Sequence, residues 1–341
     1  MVTLKGGIWR FSNRLPEIGE AYKLTLGEGN TPLVKLRGLK IYVKVDAINP
    51  TGSFKDRGTA FLVSKLKEEG CRSVVIDSSG NAAVSTSAYC AHAGIRHVTV
   101  MPTYSHMEKK VNVLWHGSKI IETPDREAAR MYARKLANEI GYRYIGFAID
   151  ENAVPGFKTA AYEIQEELTP DAIFVPVGGA TNIVALGRAY LEMYNQGELE
   201  KLPQIHAVQS AACAPIAGEF TDFVKEDSTL AEGVIVPYTE RKDEAVRLVR
   251  KTHGTGWVVR DVEILKALTL LASNGIYASP TGAVAVAGAM KAGLDGNIVC
   301  IVTDTGLKSN MMMEEFKNRV FKIEAGEEPS KVSEKIWQFL R

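Results

Sequence analysis

The sequence predicts an α/β protein of two three-layer α/β/α domains with mainly parallel sheets. Three observations carry this. Short β-branched apolar runs alternate with longer helical patterns along the whole chain. Several of these runs are apolar throughout, the pattern of strands covered on both faces. The chain has 341 residues, more than one small core organises and enough for two α/β domains. Strand–helix alternation on this scale implies parallel sheets with helices on both faces.

In chain order, "IYVKV" (41–45) reads as the first buried strand and "DRGTAFLVSKLKEEG" (56–70) as the helix after it. "SVVID" (73–77) and "HVTVM" (97–101) are β-branched runs flanking the helical pattern "NAAVSTSAYCAHAG" (81–94). "SKIIE" (118–122) leads to the helix "DREAARMYARKLANEIG" (125–141). "AIFVPV" (172–177), "IHAVQ" (205–209) and "NIVCIV" (297–302) are the later strands. Helical patterns fill the spaces: "NIVALGRAYLEMYNQG" (182–197), "DEAVRLVRKTHG" (243–254), "DVEILKALTLLASNG" (261–275) and "TGAVAVAGAMKAG" (281–293). Three of the helical patterns reach a glycine after a Lys/Glu/His-rich last turn, an ordinary helix stop.

Hydrophobic residues make up 45%, charged residues 24%, and the formal net charge is +1. No Lys/Arg block is long enough for a nucleic-acid tail. The four cysteines, Cys71, Cys90, Cys213 and Cys300, fit no zinc or disulfide spacing and read as core residues of a cytoplasmic protein. The six histidines form no metal motif, so no structural metal is expected. No run approaches the ~18 apolar residues of a membrane span, and residues 1–20 lack a hydrophobic signal core.

In parallel sheets, ligands bind outside the carboxyl ends of the strands, and the unusual loops fall there. "SSGNAA" (78–83) follows one strand, "GGATN" (178–182) another and "TDTGLKS" (303–309) a third, while "NPTGSFKDRG" (49–58) follows "IYVKVDAI". The glycine loop 178–182 offers backbone N–H groups at a helix start, an anion site, or else a plain tight turn. Ser79 and Asn81 face a ligand or simply cap a helix. Thr303 and Thr305 offer hydroxyls in what is otherwise an ordinary turn. Lys55 stands at a helix start, where the dipole disfavours a cation, a local conflict of the kind found at functional sites. A lysine can form a Schiff base with pyridoxal phosphate, and the three loops hold candidates for a phosphate cup, a 3'-oxygen partner and a pyridine-nitrogen partner.

With these motifs and "LGEGNTPLV" (26–34), the chain resembles pyridoxal-phosphate-dependent enzymes of fold type II, the tryptophan synthase β-like group, and within it threonine synthases. The resemblance spans roughly residues 7–309. It implies that Lys55 bonds the cofactor and shuttles protons. It implies Asn81 on the 3'-oxygen, Gly178, Gly179, Ala180, Thr181 and Asn182 around the phosphate, and Thr303 at the pyridine nitrogen. Ser79, Asn81, Ala82 and Asp150 become the substrate-side residues. A small mobile domain, residues 50–150, would close on a large domain of residues 1–49 and 151–341, with the cofactor in the cleft between them. A homodimer is expected, with an amino acid as substrate.

The chain also departs from the resemblance. Threonine synthases read "SSGNTA", and here Ala82 stands in place of the Thr. Their "S-I-N-P-Y-R-I-E-G-Q-K-T" segment aligns with "AIDENAVPGFKT" (148–159), which places Asp150 at the Asn and Ala153 at the phosphate-holding Arg. Asp150 and Glu151 would repel a dianionic leaving group unless Lys109, Lys110 or Lys158 compensates. Two activities follow as expectations: threonine-synthase-like elimination and replacement at the β or γ carbon, or action on serine, threonine or 2,3-diaminopropionate as an ammonia-lyase or β-replacement synthase. A cofactor-free binding protein, a dehydrogenase without GxGxxG and a hydrolase without G-x-S-x-G are weaker rivals. The C-terminal end around Ile336, Trp337 and Leu340 reads as an amphipathic helix.

Overall fold

The structure, a computed structural model, describes residues 6–309 and residue 323. Ten strands run in the order β1 (Leu33–Lys35), β2 (Ile41–Val45), β3 (Ser73–Asp77), β4 (Arg96–Pro102), β5 (Lys119–Thr123), β6 (Arg143–Ile145), β7 (Ala172–Pro176), β8 (Gln204–Ser210), β9 (Gly256–Val259) and β10 (Ile298–Val302). They form a six-stranded sheet ordered β1-β2-β10-β7-β8-β9 and a four-stranded sheet ordered β5-β4-β3-β6. Every strand pairing is parallel except that of β1 with β2.

Nine helices among the described residues cover these sheets: α1 (Lys55–Glu68), α2 (Asn81–Ala93), α3 (Met107–Trp115), α4 (Arg126–Ile140), α5 (Val154–Glu167), α6 (Thr181–Asn195), α7 (Lys242–Lys251), α8 (Asp261–Ser273) and α9 (Pro280–Ala292). The continuous apolar runs have the origin expected of them. Ile173, Val175, Val299 and Ile301 enter the core with α5, α6 and α7. Their neighbours Phe174, Cys300 and Val302 enter the opposite core with α8 and α9. In the smaller sheet, Val74 and Ile76 pack with α1 and α2, and Val75 packs with α4.

The α/β class with mainly parallel sheets is therefore the observed one, and the seven expected strands and seven expected helices are all present. Strands β1, β6 and β9 and helices α3 and α5 are additions. The strands are three or four residues long, too short for periodicity to mark them. Helix α5 opens on Val-Pro-Gly and carries proline in its first turn, a position that needs no N–H donor.

Helices α1 and α5 meet backbone to backbone. A Cβ on Gly156 would lie 1.9 Å from the Arg57 carbonyl oxygen, and one on Gly58 would lie 2.8 Å from the Ala153 carbonyl oxygen. No helix among the described residues is long and apolar enough to cross a membrane. The expected C-terminal helix lies outside the described residues.

Candidate functional site

The turn before α1 has its shape set by two residues. Gly52 takes φ 77°, open to glycine without strain, and its N–H donates to the Asn49 carbonyl at 2.6 Å. Asp56 then grips the turn, accepting from Thr51 N–H and Thr51 Oγ1, both at 2.6 Å. The turn is laced to the loop after β10: Phe54 N–H donates to the Thr303 carbonyl at 2.8 Å, and Thr305 N–H to the Gly52 carbonyl at 3.1 Å. Within the first turn of α1, the buried Arg57 guanidinium bonds Asp46 and Glu163, with ion-pair distances of 2.8 and 2.7 Å. The start of α1 is thus fixed from both sides.

Lys55 is the first residue of that helix. Its ammonium lies 4.6 Å from the centre of the Phe54 ring, 4.8 Å from Phe147 and 5.6 Å from Phe157. Burial, aided by the Arg126 guanidinium, lowers its pKa to about 8. Desolvation of this kind makes a lysine available as the neutral amine near neutral pH.

Neither Ser79 nor Asn81 caps α2, whose N-cap is Gly80 without a side-chain bond. Asn81 Nδ2 instead donates to Asp304 Oδ2 at 2.8 Å, and Asn81 Oδ1 is buried with no partner. Asp304 Oδ1 accepts from Ser279 Oγ at 2.5 Å and from Thr303 Oγ1 at 3.4 Å. Asn81 and Thr303 therefore meet on one carboxylate, and Thr303 is tied through its carbonyl to the turn of Lys55. Ser79 and Ala82 are half-buried on the same loop and helix start.

The glycine loop enters α6 through Ala180, whose φ of 64° is in the left-handed region for a residue with a Cβ. Strain of this sort persists where the surroundings over-determine it, often at functional sites. No side chain caps α6. Thr181 Oγ1 donates to the Phe147 carbonyl at 2.8 Å, so the loop connects to one of the rings around Lys55. Asn182 Nδ2 is buried with no partner, and Thr239 Oγ1 donates to the Gly179 carbonyl at 3.0 Å. An uncapped helix start with a spare amide donor suits an anion. Gly178 is held close, since a Cβ there would lie 2.8 Å from the Gly233 carbonyl oxygen, whereas Gly179 faces nothing nearer than 3.9 Å.

Asp150 is not joined to this group by any hydrogen bond of its carboxylate. Its side chain accepts from Asn152 N–H at 3.1 Å and pairs with Arg143 at 3.5 Å. Glu151 pairs with Arg188 at 2.7 Å and Arg241 at 2.8 Å. Ala153 is fully buried, packed in the core with Val154 and Phe157. The acids at 150 and 151 therefore carry their own cations.

Sequence reasoning did not find Asp304, the three-ring cage or Arg126. All are assembled by contacts between residues far apart in the chain, and only the placement of "TDTGLKS" after a strand pointed toward Asp304. Among the described residues no cluster of histidine, cysteine and acidic side chains is arranged to hold a metal.

A family model described as "Pyridoxal-phosphate dependent enzyme" matches residues 24–304. Threonine synthase of Halalkalibacterium halodurans is 33% identical over 321 residues, covering 89% of this chain and 90% of that protein. Threonine synthase of Mycobacterium tuberculosis is 34% identical over 320 residues, with 89% and 88% covered. Among solved structures, maize serine racemase superposes with a TM-score of 0.71 at 20% identity, covering 92% of this chain and 93% of that one. Threonine deaminase isoform 2 of Solanum lycopersicum gives a TM-score of 0.69 at 23% identity, with 84% and 85% covered.

Proposed function

The chain belongs to the pyridoxal-phosphate-dependent enzyme family, and from that premise we propose that it is a threonine-synthase-like lyase performing elimination or replacement at the β or γ carbon of an amino acid. The observation that carries the reading is Lys55. It is a desolvated lysine on a clamped turn, ringed by phenylalanines and tied through Thr303 to Asn81.

The residues present fit the cofactor. Asn182 Nδ2 is a buried donor without a partner beside an uncapped helix start, which suits a phosphate. Asn81 uses one amide hydrogen on Asp304 and keeps its second, with a buried, unpartnered Oδ1 beside it. Thr303 offers a neutral hydroxyl for the pyridine nitrogen. When bound, pyridoxal phosphate supplies an electron sink that lets a proton leave the substrate α-carbon.

The protein's own groups do the rest. Lys55 Nζ, neutral in a useful fraction near pH 8, holds and moves that proton. The Phe54, Phe147 and Phe157 rings keep water from it. The Ser79–Ala82 segment faces the substrate carboxylate. Closure of residues 50–150 on the remainder would complete the water-free site.

A second reading, ammonia-lyase action on serine, threonine or 2,3-diaminopropionate, is favoured by Ala153 and Asp150 standing where a phosphate-holding Arg and Asn are expected. Purified holoenzyme assayed with O-phosphohomoserine and with each of these amino acids separates the two. Threonine and phosphate formed from O-phosphohomoserine support the first reading; ammonia from the others without that reaction supports the second. An absorbance band near about 410–420 nm is expected for the bound cofactor and should vanish in Lys55→Ala. A colourless protein that gains no band with added cofactor would sink both readings.

A further inference from the structure

The sequence named three lysines able to offset the missing arginine, and the structure separates them. Lys158 is paired with Glu192. Lys110 pairs with Glu122 at 2.6 Å and donates to the Thr103 carbonyl at 2.7 Å. Lys109 is different. It is 8% exposed, and among the described residues its ammonium has no carboxylate in ion-pairing range and no hydrogen-bond acceptor. A buried, unpaired cation is costly unless something arrives to neutralise it.

Its location says what arrives. Lys109 sits in the first turn of α3, and its Nζ lies 3.6 Å from where a Cβ on Gly80 would be. Gly80 is the N-cap of α2, between Ser79 and Asn81. The absent side chain of Gly80 is what lets the ammonium approach the loop. The nearby acids are engaged: Asp304 accepts from Asn81 and Ser279, and Asp56 from Thr51 and Ser85. A second buried lysine, Lys308, donates to the Thr51 carbonyl at 2.5 Å and lies close enough to feel the charge of Lys109. Two lysines, Lys109 and Lys308, and two carboxylates, Asp56 and Asp304, share this edge of the site, yet among the described residues neither carboxylate comes within ion-pairing range of Lys109.

We propose that Lys109 is a substrate-binding residue that pairs with an anionic oxygen group, carboxylate or phosphate, of the amino acid bound beside Ser79 and Gly80. This rests on the reading of the cleft as an amino-acid site. Lys109 would do from α3 what an arginine at position 153 cannot do here, because Ala153 points into the core.

The test compares wild-type, Lys109→Met and Lys109→Arg holoenzymes on O-phosphohomoserine, which carries two anionic groups, and on threonine, which carries one. Lys109→Met should lower kcat/KM about 30-fold, chiefly through KM, the loss of one charge-assisted contact. Lys109→Arg should recover most of it. Loss on the phosphate ester alone assigns Lys109 to the side-chain anion; equal loss on both assigns it to the α-carboxylate. Unchanged KM on every substrate that is turned over overturns the proposal.

A readout free of turnover uses the unaltered holoenzyme. Acetylation of Lys109 by acetic anhydride, followed by peptide mass spectrometry, should slow at least about threefold when inorganic phosphate or threonine is added near saturation. An unchanged rate with both ligands overturns the proposal even if Lys109→Met fails to fold. Absence of the cofactor band in wild-type protein is instead a failure of the parent reading, and the acetylation result still judges Lys109.

Discussion

At the scale of single residues, Lys55 gives a prediction with a definite sign. Its pKa is lowered to about 8, and only the neutral amine attacks the cofactor aldehyde. Cofactor uptake by the apo-protein, followed as growth of the absorbance band, should rise about tenfold per pH unit below about 8 and level off above it. A rate still climbing toward pH 10 would mean an ordinary lysine. The stability linkage runs the same way: charging Lys55 is disfavoured in the folded apo-protein, so the destabilisation is full below pH 8 and fades as pH rises toward 10.5. The site was legible in part for a physical reason. Lys55, Asn81, Thr303 and the 178–182 loop announce themselves through local turn chemistry after strands. Asp304 and the unpaired state of Lys109 depend on which residues from distant segments come to face them, and no spacing encodes that.

At the scale of elements, the crossing of α1 on α5 decides where Lys55 points. Gly156→Ala brings a methyl group against the Arg57 carbonyl, which is backbone and cannot rotate away. The helices must separate, at a cost of about 1–3 kcal/mol. Urea unfolding should show that loss together with weakened cofactor binding; wild-type stability would mean that the contact is looser than described. The fold's strands and helices were legible where apolar runs stand between clear turn signals, as in β7 and α6, while helices α3 and α5 were not read from the sequence. Helix α5 was missed because its opening, "VPGF", reads as a break, although proline is tolerated at a first turn. Its role rests on Glu163, which bonds Arg57 and Lys44 with both carboxylate oxygens and would be invisible in a helical pattern alone.

At the scale of the whole molecule, the residues of the site come from both sheets: Asn81 follows β3 of the smaller, while the 178–182 loop and Thr303 follow β7 and β10 of the larger. A ligand that touches all three joins them, so pyridoxal phosphate at a hundredfold excess over its Kd should add about 2.7 kcal/mol and raise Tm by roughly 4 °C. Calorimetric scans with and without cofactor check this, and coincident traces would mean that the ligand bridges nothing.

The margins of the larger sheet have a further consequence. It ends in a three-residue antiparallel strand on one side and a four-residue strand on the other. So few free backbone groups give a foreign strand little to template on. Two copies of this chain would therefore find little backbone to pair across these two margins, since an intermolecular sheet continued there would have almost nothing to hold it.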